Sequence, residues 1–250
     1  MKKLYYIFIV CFFYIESCAQ EKIKLYALYT PSHEVFKDKF FVPSIQDDFE
    51  LIFEFCDQTC PSVKFMEEGW TQTTMNKVNL IIRAIKENWN SIFIFSDVDI
   101  QFFAPIKDII LELIEGKDMV IQRNTPDGVL CTGFFVCRGN EKTLRLWEDV
   151  KKMMESDCLS SDQISFNRCI KRRHQKNLYG IVWDYLPHSF FGAGTLTGYE
   201  WRPGMLLPIP DNIMIHHANW TKGVHNKIAQ LIYVRDEVRR RRRRILSMIH

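Results

Sequence analysis

A chain of 250 residues that is 47% hydrophobic and 25% charged can bury one full core without disulfide or metal staples, which excludes a disordered chain and a stapled miniature domain. Its formal charge of +3 rests on one segment: Arg239 to Arg244 are six consecutive arginines, and without them the remainder stands at −3. A basic face spread over the domain is thereby excluded, so the run reads as a tail and no nucleic-acid partner is expected.

The chain opens with Lys2-Lys3, the apolar run Leu4 to Ile15 and then Ser17-Cys18-Ala19. Basic, apolar and small segments in that order make a secretory signal peptide, with cleavage expected after Ala19. Twelve apolar residues are short for a permanent span. Residues 1–19 are therefore expected to direct export to a periplasm, a secretory lumen or the extracellular space, and membrane retention by an uncleaved signal anchor is the second choice. Export permits disulfides among the eight cysteines, Cys11, Cys18, Cys56, Cys60, Cys131, Cys137, Cys158 and Cys169, but spacing does not give their pairing. Cys131 and Cys137 are excluded as partners if they share one strand, where six residues span roughly 20 Å. Cys56-x-x-x-Cys60 lacks the second ligand pair that a zinc site needs.

Lys24 to Thr30 is the first strand pattern, closed by Pro31, and Ser32 caps a helix expected to reach about Phe41 before Pro43. Glu50 to Phe55 alternates as a second strand. Val78, Ile81, Ile82 and Ile85 recur at helical spacing over Thr74 to Asn88, with the cap at Thr73 or Thr74. Ile92 to Phe95 is a short buried strand, and Pro105 opens a helix to about Glu115. Strands follow at Asp118 to Gln122 and at Val129 to Arg138, where Gly133 marks a close approach by a ligand or another backbone. Asn140 caps a helix carrying Leu144, Leu146, Trp147 and Val150, Asp162 to Arg168 is helical, and Ile181 to Phe191 is extended. Such alternation predicts a single α/β domain over residues 24–230, a Rossmann-like, mostly parallel sheet flanked by helices, followed by an Arg-rich tail at 235–250.

Asp97 and Asp99 come where the strand at Ile92 must leave the sheet, and the carboxyl ends of parallel strands are where open α/β sheets bind ligands. Two carboxylates so close, beside Phe95, Phe102 and Phe103, repel unless a cation sits between them, and Mg²⁺ or Mn²⁺ fills that role with substrate phosphates completing its shell. A solvated acidic turn accounts for an Asp-x-Asp equally well. Further on, Ile213 to Trp220 reads as a short strand ending in polar residues, and an imidazole there offers a third ligand if both strand ends face one crevice. For His216 or His217 alone, a structural histidine bonded to a backbone carbonyl is the alternative. Gly223 and Lys227 are spaced to bring backbone and an ammonium to a phosphate.

Hydrophobic strand, Asp97-Val98-Asp99 and an apolar stretch into Pro105 resemble the Asp-x-Asp element of the GT-A glycosyltransferases, and later segments resemble the nucleotide-diphospho-sugar transferase family among them. Trp70 with Met75-Asn76-Lys77, then Thr132-Gly133-Phe134-Phe135-Val136, Asp162-Gln163 with Phe166-Asn167, and His217-Ala218-Asn219-Trp220 with Gly223 and Lys227 match that family's elements in order. The resemblance implies that Asp97, Asp99 and His217 hold Mn²⁺ or Mg²⁺ against the diphosphate of a nucleotide-sugar donor. It places Lys77, Lys227, Thr132, Gly133 and Gly223 on donor sugar or phosphate, Tyr29 and Thr30 near base or ribose, and Asp162 and Gln163 by the anomeric carbon and the acceptor. Cys131 stands where related transferases often carry asparagine, and the long spacing from His217 to Lys227 favours the branch of retaining α-xylosyl, α-galactosyl and arabinosyl transferases.

The implied reaction moves a sugar from a nucleotide diphosphate, a UDP-sugar by resemblance, to a hydroxyl of a glycan, protein or lipid acceptor. Two rivals are weighed against it: a non-catalytic nucleotide-sugar binding protein of the same fold, and a haloacid-dehalogenase-type phosphatase, whose aspartate pair comes early in the chain. Residues 190–201 are expected to touch the acceptor. Asn219-Trp220-Thr221 is a glycosylation sequon expected to stay unmodified, because it falls in the crevice.

Overall fold

In β1 (Lys24–Tyr29), Leu25 and Ala27 enter one core and Tyr26 enters another, so the strand is buried on both faces by the two-residue period of its side chains. The same alternation runs through β3 (Ile92–Ser96), where Ile94 faces one core and Phe93 and Phe95 the other. It recurs in β6 (Leu130–Arg138), where Phe134 and Val136 oppose Phe135 and Cys137. Continuous apolar runs of this kind belong in the middle of a covered sheet. The structure is a computed structural model that describes residues 22–60, 69–157, 160–170, 179–194 and 198–249. The expected signal peptide lies outside the described residues, as do Cys11, Cys18 and Cys158.

With β2 (Glu50–Phe55), β5 (Met119–Arg123) and β7 (Trp183–Tyr185), these strands form a six-stranded sheet in the order β2-β1-β3-β6-β5-β7. β6 alone runs against the others: it is antiparallel to β3 and β5, while β1 is parallel to β2 and β3 and β5 is parallel to β7. A mostly parallel sheet flanked by helices is therefore what the chain builds. One face is covered by α2 (Trp70–Glu87), α4 (Glu141–Ser156) and α5 (Asp162–Ile170), through Val78, Ile81, Ile85, Leu146, Trp147 and Phe166. The other face takes Ile110 and Ile114 of α3 (Lys107–Ile114) and Leu231 of α6 (Val224–Ile249).

A second sheet was not foreseen. The apolar stretch after Asp99 forms β4 (Ile100–Phe102), antiparallel to β9 (Ile215–His217), which is parallel to β8 (Phe190–Gly192). The helix expected from Pro105 begins at Lys107. Its first amides, those of Ile106 and Lys107, donate to the Asp47 carboxylate at 2.8 and 3.2 Å, a cap supplied from a distant loop. The helix expected from Thr74 begins four residues earlier, at Trp70, after Gly69 in the left-handed region at φ 79°. A Cβ on Gly69 would fall 1.7 Å from the Thr59 carbonyl oxygen, so only glycine fits there.

Residues 31–44 form successive 3₁₀, α (α1, Glu34–Phe36), π and 3₁₀ turns, with Pro43 inside the last turn and not beyond it. The Asn140 cap holds as expected: its side chain accepts from the Thr143 amide at 3.0 Å, and Thr143 reciprocates. Cys56, Cys131 and Cys137 are buried free thiols, and Cys60 and Cys169 are buried. No helix among the described residues is long and apolar enough to cross a membrane.

Candidate metal and donor site

β3 ends where the Asp97 amide donates to the Gly133 carbonyl at 2.7 Å, and β4 begins where the Asp99 carbonyl accepts from the Ala218 amide at 2.9 Å. Backbone pairing to β6 and β9 thus fixes both ends of the Asp97-Val98-Asp99 turn, and Val98, 2% exposed, pins its middle in the core. The register that pairs Ile100 with His217 brings the ring of His217 to the same place. One ligand atom from each of Asp97, Asp99 and His217 lies within 4.8 Å of the others. His217 Nε2 is 3.9 Å from Asp97 Oδ2 and 3.4 Å from Asp99 Oδ1.

The other ring nitrogen is committed elsewhere. His217 Nδ1 is 2.9 Å from Gln122 Oε1, and Gln122 Nε2 donates to the Phe190 carbonyl at 3.0 Å, which turns the amide oxygen toward the imidazole. His217 therefore donates from Nδ1 and presents Nε2 to the carboxylates, the orientation that metal-ligating histidines take from their outer partners. Burial opposes a charge on His217, but the adjacent Asp99 carboxylate pushes its pKa up to about 10. The Nε2 proton is the charge that a cation would replace. Two carboxylates and an oriented imidazole fit Mn²⁺ or Mg²⁺ by donor type. The space is kept by Gly133: a Cβ there would fall 2.3 Å from His217 Cε1 and 2.7 Å from Asp97 Oδ2. Its neighbour His216 points the other way, stacked on Phe191 at 5.3 Å, and burial pushes it down to about 3.

Two lysines close the charge balance. Lys77, on the inner face of α2, lies 2.9 Å from Asp97 Oδ1 and 3.1 Å from Asp162 Oδ2. Thr132 donates to the same Asp162 oxygen at 2.6 Å. Lys227, one turn into α6, pairs with Asp99 and donates to the Ala218 carbonyl at 3.0 Å. Burial works against charge on Lys77, Asp97 and Asp99. Asp162 and Asp97 nevertheless hold Lys77 above its ordinary value, and Lys227 and His217 hold Asp99 well below the usual carboxylate range. Burial pushes Asp97 up against the pull of Lys77, and Asp99 adds to the push.

Tyr29, Thr30, Gly223 and Gln163 make contacts of their own. Tyr29 meets Phe53 and Phe55 edge to face, with Lys37 Nζ 4.9 Å above its ring. Thr30 is 3% exposed and bonds Ser32 and His33 at 3.2 Å. Gly223, at φ 82°, makes the left-handed turn into α6, and its carbonyl accepts from the Lys227 amide at 3.1 Å. Gln163 lines a groove of about 320 Å³ with Val129, Ile164, Asn167 and Arg168.

Sequence reasoning missed Gln122, Asn124 and His33. Asn124 Oδ1 accepts from Asn219 Nδ2 at 3.2 Å and from Trp220 Nε1 at 3.1 Å, and Asn219 Oδ1 accepts from the Gly194 amide at 3.1 Å. The sequon asparagine is thus 8% exposed with its amide engaged at both ends. Trp220 is held at φ 51°, an outlier for a bulky residue, and its indole lies against Gly194. His33 is pushed down to about 4 by burial and feels the charges of Asp99 and Lys227. A polar residue closing a buried strand, as Gln122 does after Val120-Ile121, is the one signal that was available for these residues.

Two solved structures share this architecture. A glycosyltransferase involved in the glycosylation of the major capsid of PBCV-1 superposes with a TM-score of 0.53 at 10% identity, covering 84% of this chain and 99% of that one. The WbbM bifunctional glycosyltransferase gives 0.50 at 7% identity, covering 85% of this chain and 50% of that one. Mouse xyloside xylosyltransferase 1 gives 0.49 at 12% identity over 80% of this chain and 98% of that one. No curated protein matches the sequence. The fold is that of the GT-A glycosyltransferases, with the Asp-x-Asp turn at its carboxyl edge. The sequence model of the nucleotide-diphospho-sugar transferases matches residues 56–231, and the chain belongs to that family of enzymes. The phosphatase alternative falls with that match.

Proposed function

We propose that this enzyme transfers a sugar from a nucleotide-diphosphate donor, a UDP-sugar, to an acceptor hydroxyl with retention at the anomeric carbon, and that it depends on Mn²⁺ or Mg²⁺. The observation that carries this reading is the convergence of Asp97, Asp99 and His217 Nε2 within 4.8 Å, flanked by two lysines. Asp97, Asp99 and His217 would hold the cation, which when bound supplies Lewis-acid neutralisation of the leaving diphosphate. Lys227 and Lys77 stand at the cluster as fixed positive charge for the same phosphates. Asp162, engaged by an ammonium and a hydroxyl, suits electrostatic support of a developing positive charge on the sugar. Gln163, on the neighbouring groove, would orient the acceptor. With retention, the departing diphosphate itself takes the acceptor proton.

Export by residues 1–19 and a transferase domain over 24–230 belong to the same proposal. The test is release of free nucleotide diphosphate from a panel of nucleotide sugars, with Mn²⁺ and with chelator, for the wild type and Asp99→Ala. Release from one donor that needs metal and is absent in the variant supports the reading. Release that persists in chelator, or in Asp99→Ala, sinks it.

A further inference from the structure

Helix α6 continues past the body on which it packs. Leu231, Val234 and Val238 lie at helical spacing and are buried, the last two against Phe103, Phe191 and Trp201. Beyond Val238 the helix carries Arg239 to Arg244 and then Ile245, Leu246 and Met248, which are 58%, 60% and 79% exposed. Arg241 reaches back to the Ile209 carbonyl at 2.9 Å and to Asp211 at 3.0 Å, and Arg242 reaches the Phe103 carbonyl at 2.9 Å. The other four are turned away. At 3.6 residues per turn, Arg239, Arg240, Arg243 and Arg244 share a sector of about 140°, Leu246 and Met248 lie about 20° and 40° beyond its two edges, and Ile245 lies opposite its centre. Arg240 shares Glu237 with Arg241, at 2.8 and 2.7 Å. Arg239, Arg243 and Arg244 have no acidic partner among the described residues.

We infer that this end of α6 docks on the surface of an anionic lipid bilayer. Guanidinium groups bind lipid phosphates by paired hydrogen bonds, and exposed apolar side chains beside them enter the boundary between headgroup and acyl chain. The apolar residues select a bilayer over nucleic acid, which offers phosphates and no apolar phase. A second copy of the chain is disfavoured as occupant, because six arginines would face six arginines. The rest of the chain carries −3, so an anionic surface attracts this helix end and not the body, which gives the contact a direction. The inference rests on neither the donor chemistry nor residues 1–19.

Flotation of the full chain with vesicles of phosphatidylcholine, alone and mixed with phosphatidylglycerol, tests it. Wild type is expected to float with the anionic vesicles and to be released by salt. Replacing Arg239, Arg243 and Arg244 together by glutamate should weaken this binding at least roughly hundredfold. Ile245→Ser, Leu246→Ser and Met248→Ser combined should weaken it roughly tenfold or more. Both variants should keep the wild-type thermal midpoint, since these side chains are exposed. The proposal is overturned if wild type stays with the unbound fraction, or if the arginine variant floats as well as wild type, which would assign binding elsewhere, including the apolar run at 4–15. It is also overturned if the apolar variant binds undiminished while polyphosphate displaces it, the behaviour of a simple polyanion site.

Discussion

The main sheet carries buried carboxylates at both ends, and the two ends treat them differently. At the amino end, Asp118 precedes β5 and accepts from Asn140 Nδ2 at 2.7 Å, the Val182 amide at 2.8 Å and Lys142 Nζ at 3.2 Å. Asn140 and the Val182 amide are neutral donors, and Lys142 stands at the rim. At the carboxyl end, Asp97 and Asp99 crowd each other and His217 within 4.8 Å, and long lysine side chains supply the compensation. The first arrangement satisfies a carboxylate; the second concentrates negative charge where an incoming cation gains by it. Burial alone therefore does not mark function, and the company a buried charge keeps does.

Substitution at each end should separate the two. The largest effect is expected for Asp99→Asn, a loss of donor turnover on the order of a thousandfold, read as free nucleotide diphosphate released per folded molecule. Turnover that stays near the wild-type level would erase the contrast. Gly133→Ala comes next: the added methyl meets His217 Cε1 at 2.3 Å, and Mn²⁺ affinity, read by calorimetry, should drop roughly 10- to 100-fold. Gln122→Ala frees the Nδ1 side of His217 and should cost metal affinity about tenfold, the low end of that range.

At the other end, Asp118→Asn is expected to leave turnover per folded molecule unchanged while removing about 1–3 kcal/mol of stability, a fall of about 5 °C in midpoint. Burial opposes ionisation of Asp118, but the Val182 amide, Asn140 and Lys142 hold its carboxyl below the ordinary value. A depressed folded pKa contributes stability above the unfolded value, about 4, and loses it as pH falls through the folded one. The midpoint gap between wild type and Asp118→Asn should accordingly shrink in acid, as differential scanning at pH 7 and pH 3 would reveal. A gap that widens would reverse the assigned role.

What was legible in the sequence was local. The run Ile92 to Phe95 announced its strand, Asn140 its helix, and Asp97-Val98-Asp99 its turn, because the cause and the element lie within a few residues. What escaped needed partners far along the chain. Asp47 caps α3 across 59 and 60 residues, Gln122 orients His217 across 95, and β4 exists only because β9 returns to pair with it. Gly69 displaced Thr73 and Thr74 as the start of α2 because the Thr59 carbonyl leaves no room for a side chain, a constraint invisible until the loop is folded. Family resemblance named Lys77, Asp162 and Thr132, yet that one ammonium and one hydroxyl meet on a single Asp162 oxygen is a fact of packing.

One contact bears on how this chain can change over generations. A methyl on Gly194 would fall 2.1 Å from Cδ1 of Trp220, whose left-handed backbone comes three residues after His217. Neither position is free to drift alone: a larger residue at 194 demands a smaller one at 220, and a smaller one at 220 opens a void that only a larger 194 would fill. The pair should show strong sign epistasis, with Gly194→Ala deleterious beside tryptophan and tolerated beside glycine, so lineages would exchange both residues together or neither.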